Sequence, residues 1–182
     1  IFLNGVIEAE VTFSHTIPVG TILAYVGRVA GSALDTYRFK GYIDNLRLTR
    51  GAARYTANFI PPGPHIAAID PDTDQWWLNT VLALRMDGTH GSTTFTDLKG
   101  KTVTPYGNAS ISSAVSKFGQ AAYFDGTGDY LTVPNSTDFD FGTSDFTIEF
   151  WINTVAVNGI LIGKRPNVSW GPFVLGINTN KL

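Results

Sequence analysis

No apolar run in this chain goes far before a turn-forming pair cuts it off, and this punctuation limits the possible folds more than any single motif does. Asn4-Gly5, Asp87-Gly88, Asp125-Gly126, Gly128-Asp129 and Pro134-Asn135 supply the positive or preset φ angles and the side-chain hydrogen bonds that tight turns need. Between them lie short segments rich in Thr, Val, Ile, Phe and Tyr, at residues 21–27, 39–48, 81–86, 103–106, 122–124, 130–133, 146–152 and 160–162, and again from 173 onward. Such side chains suit a pleated surface, and Ala-Leu-Glu-Lys stretches at helical spacing are almost absent. The expectation is an all-β chain, with short strands arranged as an antiparallel sandwich or barrel.

At 182 residues, 43% hydrophobic and only 15% charged, the chain can bury a sizeable core and does not have the composition of a disordered segment. Thirteen basic against fifteen acidic residues give a net charge of -2 with no Lys/Arg stripe, so nucleic acid is not expected as a partner. The absence of Cys removes disulfides, thiolate metal sites and thiol nucleophiles together. No apolar run approaches the roughly 20 residues that span a bilayer, so no membrane insertion is expected.

In the segment 39–48, period-two alternation places Tyr42, Asp44, Leu46 and Leu48 on one face, with Ile43, Asn45 and Arg47 on the other. Asp44 is thereby expected among apolar neighbours. Residues 49–59 read as a short turn or 3₁₀ element, stopped by Pro61-Pro62-Gly63-Pro64, which can neither extend a helix nor donate to a ladder. Residues 65–79 have no strand periodicity and read as a linker containing Asp70, Asp72, Asp74 and the pair Trp76-Trp77. The opening residues look like a strand running into a hairpin at Asn4-Gly5 and the closing ones like a strand without its return, so the chain is expected to be a piece of a longer modular protein. The alternative is that early and late strands complete one sandwich, within a chain or between protomers.

Residues 41–62 (GYIDNLRLTRGAARYTANFIPP) resemble the C-terminal signature of laminin G-like jelly-roll modules of the concanavalin A-like lectin/glucanase superfamily. Residues 84–97, 116–134 and 145–151 are similar to the N-terminal half of such a module. The resemblance implies an antiparallel jelly-roll β-sandwich present as two partial modules: residues 1–64 as the end of one, 65–79 as linker and 80–182 as the start of a second. The ending in Ala53-Arg54-Tyr55-Thr56 followed by Phe59 and Pro61-Pro62 resembles modules of bacteriophage tail and other virion proteins.

The superfamily includes glycan-cleaving enzymes, and retaining ones need two carboxylates about 5–5.5 Å apart. Glu149 is the one acidic residue inside a clear strand of the second segment, and its same-face neighbours Thr147 and Trp151 carry no second acid. Glu8 and Glu10 share a face at a hairpin exit, where solvation explains them. His15, His65 and His90 are scattered without a partnering motif, and no enzyme activity is expected. The resemblance also implies a structural calcium ion, with Asp44 meeting the chain near Asp87-Gly88. The plainer reading of Asp44 is a carboxylate satisfied by local amides or by Arg47, and the acids of residues 125–129 read as turn chemistry. Glycan binding in such folds relies on loop aromatics with polar neighbours, which makes Trp170 with Arg165, and Tyr106 with Asn108, the candidates. Trp76, Trp77 and Trp151 are read as packing residues rather than as binding ones.

The expected function is that of a non-enzymatic structural or adhesion module of a phage virion protein, on the virion or an extracellular surface. Its expected partners are other virion subunits or neighbouring modules, host-surface glycans, and further copies of itself in a homo-oligomer. A carbohydrate-binding accessory module of a glycoside hydrolase or bacterial surface protein is the first alternative, and a purely architectural virion protein the second.

Overall fold

A computed structural model describes residues 1–8, 10, 23–29, 37–61, 74–155, 158–164 and 173–177. In chain order the described strands are β1 (Phe2–Leu3), β2 (Val6–Ile7), β3 (Ala24–Val26), β4 (Lys40–Arg50), β5 (Thr80–Leu84), β6 (Thr104–Tyr106), β7 (Ser110–Ser112), β8 (Ala121–Asp125), β9 (Tyr130–Val133), β10 (Phe146–Asn153), β11 (Gly159–Lys164) and β12 (Phe173–Ile177). The β1–β2 hairpin turns through Asn4 at φ 51° and Gly5 at φ 81°. Two successive positive angles are the two-residue turn that Asn-Gly favours.

The other ten strands form two five-stranded antiparallel sheets. In the first, the order is β10-β4-β8-β7, with β5 also paired to β4, and in the second it is β12-β11-β3-β9-β6. The eleven residues of β4 serve two neighbours on one side: residues 40–43 pair with β8 and residues 46–49 with β5. Its opposite side pairs with β10. Segment 1–64 thus contributes an interior strand to each sheet, β4 to the first and β3 to the second, and segment 80–182 contributes the strands around them. Early and late strands are thus hydrogen-bonded to one another within this chain.

One apolar cluster fills the space between the sheets. Ile43, Leu46, Leu48, Leu82, Leu84, Ile111, Ala122 and Phe124 reach it from the first sheet, and Ala24, Val26, Leu131, Val133 and Ile162 from the second. Phe39 and Phe124, both fully buried, meet edge to face at 6.0 Å. Burying side chains of this size stabilises by about 1.5–3 kcal/mol each. A 3₁₀ turn at Thr137–Phe139 pushes Phe139 into the same cluster, and Lys101 and Lys164 lie 5.6 and 5.7 Å from its ring.

The structure corrects the face assignment within β4. Asn45 has φ 52°, and between Trp151↔Asp44 and Glu149↔Arg47 the strand β4 advances three residues while β10 advances two. This is a β-bulge, in which one extra residue bends the strand and reverses the alternation beyond it. Ile43 therefore joins Leu46 and Leu48 in the core, while Asp44 and Arg47 lie on the outer face. Simple period-two counting fails because it assumes an unbroken pleat. Two further differences are local. Of the residues 49–59 expected as a short turn or 3₁₀ element, 49 and 50 belong to β4 and 51–59 form bends without a 3₁₀ helix, and β7 was not expected because Ser-Ile-Ser offers one apolar residue, Ile111.

Gly41 carries the same strand past a crowded point, where a Cβ would come within 2.5 Å of the Asn153 carbonyl oxygen. At Asn45 the left-handed angle suits Asn or Gly, whereas a β-branched residue is strained by about 1–2 kcal/mol. Asn45→Val is expected to lower the urea midpoint accordingly, and Asn45→Gly to leave it nearly unchanged. Equal midpoints for the two variants would remove the bulge as a determinant of stability.

Candidate functional site

The bulge delivers Asp44 to the outer face of the first sheet, beneath the loop that precedes β8. Asp44 is 2% exposed, and its Oδ2 accepts from the backbone N–H groups of Lys117 at 3.0 Å and Phe118 at 2.8 Å. Its Oδ1 is buried without a hydrogen-bond partner. Asp87 holds the other end of the loop, accepting from the Gln120 N–H at 2.9 Å, while the Gly88 N–H donates to Gln120 Oε1 at 2.8 Å. Gly119 lies between these grips at φ 59°, where a Cβ would stand 2.6 Å from Asp87 Oδ1. Asp44 is thus held mainly by amides more than seventy positions away, with the adjacent Asn45 amide as a weaker local influence, and not by Arg47.

A cavity of about 110 Å³ opens beside Asp44, lined also by Tyr42, Ser116, Lys117, Trp151 and Asn153. Lys117 Nζ lies 4.7 Å from the Trp151 ring centroid, and the Phe118 ring meets Trp151 edge-on at 5.9 Å. Burial raises the Asp44 carboxyl from 3.8 to about 6, and the nearby Asp87 adds to the rise, against the lowering effect of the Phe118 and Lys117 amides. An orphaned oxygen on a buried carboxylate beside a second acid suits a cation.

Calcium takes six to eight oxygens. Asp44 Oδ1 and the Asp87 carboxylate would begin such a set, with the remainder left to backbone carbonyls and water. Among the described residues, no three His, Cys, Asp or Glu side chains converge.

A second polar cluster lies on the same outer face. Arg47, 3% exposed, donates through Nη1 to Asp74 Oδ2 at 2.8 Å and through Nε to Glu149 Oε1 at 2.7 Å, with Nη2 also on Glu149. Arg54 Nη1 reaches Asp74 Oδ1 at 3.3 Å. Arg54 Nε and Glu149 Oε2 approach to 3.3 Å as an ion pair but lack hydrogen-bond geometry. Two cations and two anions thus fasten the turn that begins at Asp74 to strands β4 and β10, and Glu149 is held by arginines on both oxygens.

Tyr106 stands on the edge strand β6, 42% exposed. Its ring is stacked on Tyr130 at 4.5 Å and 5°, and Arg28 caps the assembly 4.3 Å from the Tyr130 centroid. Tyr25 is tilted against Tyr130 at 6.1 Å, and burial raises its phenol, opposed by Arg28. Asn108 follows in a turn pinned by Asp129, which accepts from the Asn108 N–H at 2.7 Å and from the Asp125 N–H at 2.8 Å. With its amide correctly oriented, the Asn108 side chain donates to Asp129 and Asp125, at 2.8 and 3.2 Å. Trp170 and Arg165 lie outside the described residues.

Sequence reasoning overlooked Tyr25, Arg28 and Tyr130 as companions of Tyr106, since the pairing of β3 and β6 with β9 brings the tyrosines together and Arg28 follows β3 in the chain. It also missed Asp97, which is 5% exposed and accepts from the N–H groups of Ala83, Lys99 and Lys101. The Asp-x-x-Gly spacing of residues 97–100 was its one available signal.

Two outcomes follow. Because the folded state binds the Asp44 proton more tightly than the unfolded chain, the Asp44 contribution to stability in calcium-free buffer is fully present below pH 3.8, is lost as pH rises towards about 6 and then levels. The loss is on the order of 1–2 kcal/mol after allowance for water at the cavity mouth, and Asp44→Asn should abolish this component of a urea-midpoint-versus-pH curve. Glu149→Ala leaves Arg47 buried without half of its partners and should cost about 3 kcal/mol in the same assay; a loss under about 0.5 kcal/mol would mean the network is dispensable. Compared with protein-family models, curated proteins and solved structures, the chain matches none of them.

Proposed function

We propose that the chain is a non-enzymatic adhesion module of laminin G-like, jelly-roll type from a phage virion protein, presenting one edge of its second sheet to surface glycans and assembling as a homo-oligomer with other virion subunits. The observation that carries the glycan reading is the Tyr106 ring. One face rests on Tyr130, which is itself backed by Arg28, so an exposed aromatic surface is held on a rigid support. Sugars stack on such faces because their axial C–H groups meet an apolar, electron-rich ring. The order already built into the stack lowers the entropy lost on binding.

The architectural alternative draws support from Asn108, whose side-chain amide is engaged with Asp129 and Asp125, and from Glu149, held by two arginines. Screening the chain against a glycan array and intact bacterial surfaces separates the two. Under the adhesion reading Tyr106→Ala weakens a detected interaction about tenfold or more, the scale of a lost stacking contact. Binding to a positive glycan that is unaffected by Tyr106→Ala moves the site elsewhere, and failure to bind any surface favours architecture.

A structural calcium ion at Asp44 and Asp87 belongs to the same proposal. An ion that binds only the folded state raises stability by mass action, by about 2.7 kcal/mol at a hundredfold excess over its Kd. Millimolar calcium is expected to raise the melting temperature of the native chain and not that of Asp44→Asn. A shift of equal size in both would exclude Asp44 as a ligand.

A further inference from the structure

The cavity beside Asp44 is built on the β4–β10 ladder. Asp44 stands opposite Trp151 and Tyr42 opposite Asn153, so these four side chains form two neighbouring cross-strand pairs on the outer face. Both rings are braced, Tyr42 by Tyr123 at 5.0 Å and Trp151 by the edge-on Phe118 at 5.9 Å. The loop carrying Ser116 and Lys117 supplies a further wall. Asp44 itself fixes that loop, because its Oδ2 accepts from the Lys117 and Phe118 amides.

The charged groups left over in this enclosure are opposite in sign. Asp44 is 2% exposed and its Oδ1 has no hydrogen-bond partner, a costly arrangement for a buried carboxylate. Lys117 is exposed; its ammonium rests 4.7 Å from the Trp151 ring centroid and forms no ion pair with a described carboxylate. The Ser116 hydroxyl and the Asn153 amide also line the space and can donate or accept. A lone anion would face Asp44 and a lone cation would face Lys117, whereas a ligand carrying both charges meets a partner at each end. At roughly 30 Å³ of liquid volume per water, the cavity of about 110 Å³ has the room of about three or four waters, so such a ligand has few heavy atoms.

We infer that the cavity binds a small amino acid as its zwitterion, with the ligand ammonium on Asp44 Oδ1, the ligand carboxylate on the Lys117 ammonium and the carbon between them against the Trp151 and Tyr42 rings. Glycine and alanine are of the right size, and a side chain as large as that of leucine is not. Neither Asp87 nor the Tyr106 stack lines the cavity, so the site stands or falls apart from the calcium and glycan readings.

The test is calorimetric titration of the 182-residue chain with glycine and alanine in chelator at about pH 8, where Asp44 is ionised. A dissociation constant of about a millimolar or tighter is expected for both. Methylammonium and acetate, which each carry one of the two charges, should bind at least about tenfold more weakly, as should leucine. Lys117→Gln should keep the melting temperature of the native chain and weaken glycine about tenfold or more. Asp44→Asn should weaken it as much, and if that variant fails to fold Lys117→Gln carries the test alone. No binding of either amino acid up to about 50 mM overturns the proposal. So does methylammonium, acetate or leucine binding as tightly as glycine, or an affinity for glycine unchanged in folded Lys117→Gln.

Discussion

The ladder along both sides of β4 is the interaction on which the rest of the molecule depends. Eleven residues bond to β10 on one flank and to β8 and then β5 on the other, so three strands take their register from one. The bulge at Asn45 lets a single strand do this. It bends β4 where its neighbour changes from β8 to β5, turning a flat ribbon into a curled one. It also sorts the side chains: Ile43, Leu46 and Leu48 fall to the core, while Asp44 and Arg47 fall to the outer face. Both polar clusters on that face owe their position to this one positive φ angle.

The acidic side chains of the outer face fall into two opposite electrostatic settings. Glu149 and Asp74 are each held by two guanidinium groups. Asp44 has only amides on one oxygen and nothing on the other, and burial raises its carboxyl to about 6. Fully paired ions specify geometry at little net gain in stability, whereas a carboxylate left short of partners stores a cost that a cation can relieve. The first arrangement fastens a turn to the sheet; the second leaves a place for a ligand. The Tyr106–Tyr130–Arg28 stack is intermediate, being internally satisfied on all faces but one.

Much of the fold was legible because turn chemistry is local. Asn4-Gly5 needed nothing beyond its own two residues to specify a hairpin, and β8, β9 and β10 announced themselves through alternation between turn signals. What counting could not reveal were features fixed by distant partners. Asn45 reads as an ordinary strand residue until β10 is laid beside it. The amides that satisfy Asp44 belong to Lys117 and Phe118, and the support beneath Tyr106 comes from another strand. Asp44 and Tyr106 could be singled out in the sequence, but not their surroundings.

The position of β4 in the chain has a consequence for how the molecule comes to fold. Its partner residues in β10 lie about a hundred positions later, as in Arg50↔Phe146 and Thr49↔Thr147, and β3 waits longer still for β9 and β11, as in Ala24↔Val133 and Val26↔Ile162. Contacts of such sequence separation close large loops before any pairing compensates the lost entropy, which slows the search. Synthesis in the N-to-C direction releases β3 and β4 before β8 to β11, so these two strands emerge with apolar faces that their sheet neighbours do not yet cover. Folding is therefore expected to be a late, concerted event that begins only when β10 and β11 have emerged.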